Sequence, residues 1–307
     1  MKKMISTILA LVLALGLCAF AQAEGGLTVT APNGAPALAI ATFAAENKDM
    51  YTPVAADTIA AAFADKEADF IIAPINAGAK LFKAGKSTYK LAAVVTWGNL
   101  FIASRKADLK AEDLNGADLV LFGENTINAS VVLYALEKNG ITPGKVTYLA
   151  GADKTKDLLL EDESVIVVTA EPALTAAKMT AQKNGTAVGA ISVNELLKQA
   201  TGDDGYTQAG LFVKAETAEA QPDTVKEWLG KAREACEKCT ADVDAVAEAA
   251  VTLEILPNAK VAAAAIPGCA IRFVPAKEAK ELIEKTVAID PAQFGGEAPA
   301  DDFYYGE

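Results

Sequence analysis

From Leu27 onward, short apolar runs alternate with helical stretches, and the junctions repeat one form: strand, small or proline-bearing loop, helix. Strands alternating with helices at this spacing build a parallel α/β sheet with helices on its faces. Leu27 to Thr30 reads as a strand, and Ala31-Pro32-Asn33-Gly34-Ala35-Pro36 turns into a helix reaching about Asn47. Pro36 suits a first helical turn, where its missing N–H is not needed. A helix follows over Ala55–Ala64, then a strand over Asp69–Ala73, and Pro74-Ile75-Asn76-Ala77-Gly78 opens a helix to about Ala84. A strand over Lys90–Val95 ends at Thr96-Trp97-Gly98-Asn99, and a further strand, Leu100–Ser104, leads out of this first block.

The second block starts at Ala111-Glu112-Asp113-Leu114-Asn115-Gly116. It carries a strand over Asp118–Phe122, a loop from Gly123 to Asn128 and a helix over Ala129–Asn139, which Gly140 closes as a C′ residue. Strand Lys145–Leu149, a helix over Thr155–Glu161 and strand Val165–Thr169 follow. Ala170-Glu171-Pro172 then opens a helix over Ala173–Asn184. After Gly205-Tyr206 come a strand over Gln208–Lys214 and two long helices, roughly Gln221–Cys239 and Ala241–Leu256. A strand over Ala270–Val274 and a helix over Lys277–Val287 precede the tail. The 307 residues suggest roughly two domains. No low-complexity linker separates them, so the chain is expected to cross between them along strands.

The N-terminus reads as an address. Lys2 and Lys3, an apolar run from Met4 to Phe20 and the small-residue pattern Ala21-Gln22-Ala23 describe a secretory signal peptide cleaved after Ala23. The run falls short of the ~20 residues of a bilayer span. Leu15-Gly16-Leu17-Cys18 stands where a lipoprotein box would, although Leu17 replaces the small residue usual there. Simple export to the periplasm or cell surface is the leading expectation, with a lipid anchor through Cys18 as its alternative. Of the other cysteines, Cys236 and Cys239 have C-x-x-C spacing inside a helical pattern, away from the strand-to-helix junction of a redox motif. A disulfide from Cys239 to Cys269 and a set of buried thiols are both open readings.

Histidine is absent, which removes Ser-His-Asp and Cys-His catalysis and every His-ligated metal. The net charge of −12 becomes −14 when Lys2 and Lys3 leave, and it argues against nucleic acid, whose phosphates need clustered Lys and Arg. No enzyme, cofactor or metal site is expected.

The order of pieces resembles the type II periplasmic solute-binding proteins of ABC importers, in the branch of nitrate, sulfonate, taurine and thiamine-precursor binders. The resemblance rests on Asn33-Gly34-Ala35-Pro36, Ala68 to Pro74 with Asn76-Ala77, Tyr89-Lys90-Leu91 leading to Thr96-Trp97-Gly98-Asn99, and Glu112 to Gly116. Thr169-Ala170-Glu171-Pro172 and the tail Phe294 to Pro299 with Phe303-Tyr304-Tyr305 complete it. It spans the mature chain; each motif is weak alone, and their order makes the case. It implies an α/β, two-lobed fold with mostly parallel sheets, flanking helices and a ligand cleft between the lobes. Residues 24–104 plus 206–307 would form lobe one and 105–205 lobe two. It also implies a monomer that captures a small molecule and docks on an ABC permease in the membrane.

Ligands in open α/β sheets bind outside the carboxyl ends of strands, where helix N-termini present free N–H groups. That places Asn33, Gly34, Ala35, Asn76, Trp97, Gly98, Asn125, Thr126, Glu171 and Tyr206 as candidate ligand contacts. Each has a plainer reading: caps for Asn33, Asn76, Thr126 and Glu171, a core aromatic for Trp97, a hinge for Tyr206. Segments 33–36, 74–78, 96–99, 124–128 and 169–172 hold no Lys or Arg, while Glu124 and Glu171 supply carboxylates. An anion site would ordinarily add a cation. A neutral or basic ligand is expected, with an aromatic heterocycle stacked on Trp97 as one form; Arg272 reads as a snorkelling surface residue. Two rivals stand beside transport: a ligand-sensing or surface-exposed receptor on the same fold, and an acid/base enzyme built on Glu124 and Glu171.

Overall fold

The computed structural model describes residues 26–306. The expected signal peptide, its expected cleavage site at Ala23 and Cys18 lie outside them. Among the described residues no helix is long and apolar enough to cross a membrane.

Eleven strands are described, and they form two sheets. The first is assembled from β1 (Val29–Pro32), β2 (Tyr51–Val54), β3 (Phe70–Pro74), β4 (Tyr89–Thr96), β10 (Ala209–Lys214) and β11 (Ile271–Pro275), in the order β11-β4-β10-β3-β1-β2. The second holds β5 (Leu100–Ser104), β6 (Leu119–Phe122), β7 (Val146–Leu149), β8 (Ile166–Ala170) and β9 (Gly189–Ser192), in the order β7-β6-β8-β5-β9. The strand Leu100–Ser104, expected to close the first lobe, therefore pairs in the second sheet, against β8 and β9. The chain crosses earlier, at Trp97–Asn99.

The sheets are mixed: β1 to β4 share one direction in the first and β6 to β9 in the second, while β10, β11 and β5 run against them. β1 runs parallel to β2 and β3, and β6 runs parallel to β7 and β8. β10 is antiparallel to both its neighbours, as is β5. The cause is the crossing. A chain arriving from the other sheet enters at the end where the parallel strands finish, so it must run back against them. Hence Ala209, the first residue of β10, sits opposite Pro74 and Thr96, and Leu100, the first of β5, sits opposite Ala170. Both sheets deliver the carboxyl ends of their parallel strands to one crevice.

The first sheet is buried on both faces, as an α/β sheet covered by helices must be. Ile71, Val94 and Phe212 point into one layer with Phe63 and Tyr89, while Phe70, Ile72, Leu211 and Val213 point into the other with Trp228. The first layer continues through Leu100, Ile102, Leu121 and Val168 into the second sheet, so the two sheets share one apolar spine. Trp228, on helix Pro222–Ala241, stacks on Phe70 at 3.7 Å between ring centroids and 11° between planes.

Several elements depart from the sequence expectation. The helix after Pro36 is two short pieces, Ala35–Leu38 and Ala41–Glu46. Strands β2 and β9 and helices Val193–Thr201 and Ala259–Ala265 were not anticipated. The three described cysteines are free and buried, which corrects the disulfide from Cys239 to Cys269. Each thiol instead donates to a backbone carbonyl: Cys236 to Ala39 at 3.2 Å, Cys239 to Leu38 at 3.6 Å, Cys269 to Ala265 at 3.4 Å.

Candidate functional site: the crevice between the sheets

Two backbone segments cross the floor of the crevice side by side, Trp97–Asn99 outward and Gly205–Gln208 on the return. They are tied together: Tyr206 N donates to Trp97 O at 3.3 Å and Gln208 N to Thr96 O at 3.1 Å. The approach is possible because Gly205 and Gly98 lack side chains. A Cβ on Gly205 would stand 2.2 Å from Trp97 O, and one on Gly98 would stand 2.5 Å from both Asn194 Oδ1 and Tyr206 Cε1. Gly98 also has φ +92°, a conformation that few other residues adopt.

Above these crossings lies a network of carboxamides. The Tyr206 hydroxyl donates to Asn128 Oδ1 at 2.7 Å and accepts from Gln208 Nε2 at 3.0 Å. Gln208 Nε2 also reaches Asn99 Oδ1 at 3.0 Å, and Asn99 Nδ2 donates to Glu171 O at 2.7 Å. Asn194 Nδ2 bridges Trp97 O and Gly98 O at 3.0 and 2.8 Å. The network joins both crossings to the strand end at Glu171 and the helix at Asn128. Burial pushes the Tyr206 phenol above its ordinary pKa, with the Gln208 bond opposing. Asn99, Asn194 and Gln208 were not among the expected contacts, and Asn128 stood between a contact and a turn or cap residue. Asn99 and Asn128 lie within the expected loops 96–99 and 124–128, whereas nothing local marks Asn194 or Gln208.

Trp97 corrects the expectation of a stacking wall. It is 2% exposed, its indole N–H donates to Arg272 O at 3.0 Å, and the Arg272 guanidinium lies 4.0 Å from its ring centroid. Arg272 is itself paired with Asp204 at 3.5 Å. Cation and aromatic ring therefore satisfy each other, and the ring presents no face to a ligand.

Glu171 is 7% exposed and acts as a cap. Its carboxylate accepts from Thr175 N at 3.0 Å and Thr175 Oγ1 at 2.9 Å, closing the first turn of helix Ala173–Lys183. Burial raises its pKa, while the Thr175 bonds and the Lys178 charge pull the other way. Thr126 is likewise a cap, accepting from Ala129 N at 3.4 Å.

The remaining candidates stand around the crevice. Asn33 is exposed, and its Oδ1 accepts from the Tyr51 hydroxyl at 2.8 Å. Gly34 and Ala35 follow it at the start of helix Ala35–Leu38, with Pro172 Cδ 3.9 Å from where a Cβ on Gly34 would be. Asn76 is on the first turn of helix Ile75–Lys83, and its Oδ1 is buried with no hydrogen-bond partner. Asn125 is exposed in the left-handed region at φ 58°, and its carbonyl accepts from Gln293 Nε2 at 2.8 Å. A separate cavity of about 460 Å³ lies at the other end of helix Ile75–Lys83, between Phe82, Lys83, Phe294 and Glu297. Among the described residues no cluster of Cys, Asp and Glu could hold a metal ion.

No family model matches this chain, and no curated protein is similar to it in sequence. Solved structures are similar in fold. An ABC transporter protein from Parabacteroides distasonis superposes with a TM-score of 0.78 at 19% identity, covering 92% of this chain and all of its own. The periplasmic aliphatic sulphonate binding protein of Escherichia coli gives 0.68 at 14%, covering 92% of each chain. A Candida albicans gene product with the generic periplasmic binding protein fold gives 0.54 at 14%, covering 91% of this chain and 93% of that one. The chain has that α/β fold, with two mixed sheets and flanking helices.

Proposed function

We propose that this chain is an extracytoplasmic solute-binding protein: it captures a small molecule in the crevice between two lobes and delivers it to an ABC-type importer. One lobe carries the first sheet, residues 26–99 and 205–306; the other carries residues 100–204. The observation that carries the reading is the paired crossing at Trp97–Asn99 and Gly205–Gln208. Two adjacent strand connections, at the point where both sheets end their parallel strands, allow one body to turn on the other around a ligand. The solved structures of this fold, which include a ligand-binding component of an import system and a sulphonate binder, support the role. No catalysis is required. Ligand favours the closed arrangement by its greater affinity for it, and the loaded form docks on the permease.

The ligand we propose is neutral or basic and rich in N–H groups. The loops at 33–36, 74–78, 96–99, 124–128 and 169–172 carry carboxamides and the Glu124 carboxylate but no cation, while Glu171 is engaged by Thr175 and Arg272 by Trp97 and Asp204. A sulfonate or nitrate would find no positive partner on them. The test is a thermal-shift screen of the protein starting at Glu24 with sulfonates, nitrate, amino acids, polyamines, pyrimidines and thiamine precursors. A ligand at ~100 times its dissociation constant adds about 2.7 kcal/mol. Stabilisation by an amine or a neutral polar compound is the expected result. A sulfonate hit overturns the ligand class and keeps the role; silence across the panel counts against solute binding itself.

A further inference from the structure

The two bodies touch beside the crossing, where Glu171 N donates to Asn99 O at 3.0 Å and Trp97 N donates to Ala270 O at 3.0 Å. Helix Ala259–Ala265 packs on helix Ala173–Lys183. The turn that follows it, Ile266–Cys269, brings Gly268 against the Glu171 side chain. A Cβ built on Gly268 would lie 2.8 Å from Glu171 Cγ, 3.3 Å from its Oε1 and 3.4 Å from its Cδ. Glu171 cannot easily withdraw, because Thr175 holds both carboxylate oxygens. Gly268 does not have a positive φ, so its backbone does not demand glycine. Only space does. Beside it, Gly34 faces Pro172 with room to spare, since its Cβ would meet Pro172 Cδ at 3.9 Å.

We propose that Gly268 is the residue that permits closure: the missing side chain leaves a notch in the first body, and the capped Glu171 of the second body seats in it. This rests on the two-lobe reading given above and deepens it, because it assigns a positioning role to a residue on a turn that no expectation of the site included. A methyl group at position 268 should act as a wedge. Overpacking at a fixed contact forces a shift of the parts rather than a local compression, and here the parts that yield are the two bodies.

The experiment reads the distance between them. Nitroxide labels are placed on Lys226→Cys, exposed on helix Pro222–Ala241, and on Lys183→Cys, exposed at the end of helix Ala173–Lys183. The three native thiols of the protein starting at Glu24 are buried and remain unlabelled. Electron–electron double resonance on the protein as purified gives the distribution. The parent should show a population at the distance of this structure, and Gly268→Ala should move it to another distance by several ångströms. Glu171→Ala in the Gly268→Ala background should restore the parent distance, because the colliding Cγ is gone. Gly230→Ala, where a Cβ meets nothing within 4 Å, should match the parent. A Gly268→Ala distribution identical to the parent overturns the proposal, as does a parent with no population at this distance or a double variant that stays displaced. None of these outcomes bears on whether a ligand binds, which the thermal-shift panel decides separately.

Discussion

The sequence leaves Glu171 between a ligand contact and a helix cap, and the fold engages its carboxylate with Thr175. The consequence is measurable through pH. Burial holds its pKa above the ordinary 4.5, so the folded protein keeps the proton more tightly than the unfolded chain. Stability therefore declines as pH rises from about 4.5 through the raised value and is level beyond it. Glu171→Gln removes that decline. Its melting temperature relative to the parent should climb between pH 4 and pH 7, and a difference independent of pH would show the carboxyl to be solvated. The thiols follow the same rule at higher pH. Burial pushes Cys239 up to about 12 and lifts Cys236 and Cys269 as well. Stability is fully present below the ordinary thiol range and falls as pH rises beyond 9, by up to ~1.4 kcal/mol per pH unit for each thiol. In the folded protein Ellman's reagent should react with none of the three, and in guanidinium with all of them.

Helix Pro222–Ala241 was legible because its apolar positions recur at helical spacing over five turns and because Pro222 opens it. Its anchor is Trp228 on Phe70, with Phe43 edge-on at 5.3 Å. Trp228→Ala should cost about 3–5 kcal/mol in denaturant unfolding, with the helix content by circular dichroism little changed. The elements that escaped the sequence share a different cause. β2 is a four-residue edge strand containing Pro53, tolerated there because an edge leaves one side unpaired. β9 is Gly-Ala-Ile-Ser, and helix Ala259–Ala265 is nearly all alanine, so neither has a polar–apolar rhythm to read. The loops around the crevice were legible as strand ends. The contacts within them were not, since Trp97 is covered by Arg272, 175 positions later, and Asn99 meets Gln208, 109 positions later.

At the scale of the whole molecule, the strand order of the first sheet separates neighbours in space from neighbours in the chain. β3 and β4 are each hydrogen-bonded to β10 and not to each other, so the middle of that sheet is supplied by residues 209–214. The second sheet draws only on residues 100–192. Pulse-labelled amide exchange during refolding should protect β5, β6 and β8 before β3 and β4, because long-range pairings close more slowly than local ones. Simultaneous protection of all five would contradict this. During synthesis the effect is larger than in refolding from denaturant. When the ribosome has made the first two hundred residues, the earliest-born sheet still has a gap through its centre, and only the strand that returns from the crevice can fill it. A chain wired in this way stays unfinished at its front end until most of it exists, which is the condition a polypeptide must satisfy to be threaded through a narrow pore before it folds.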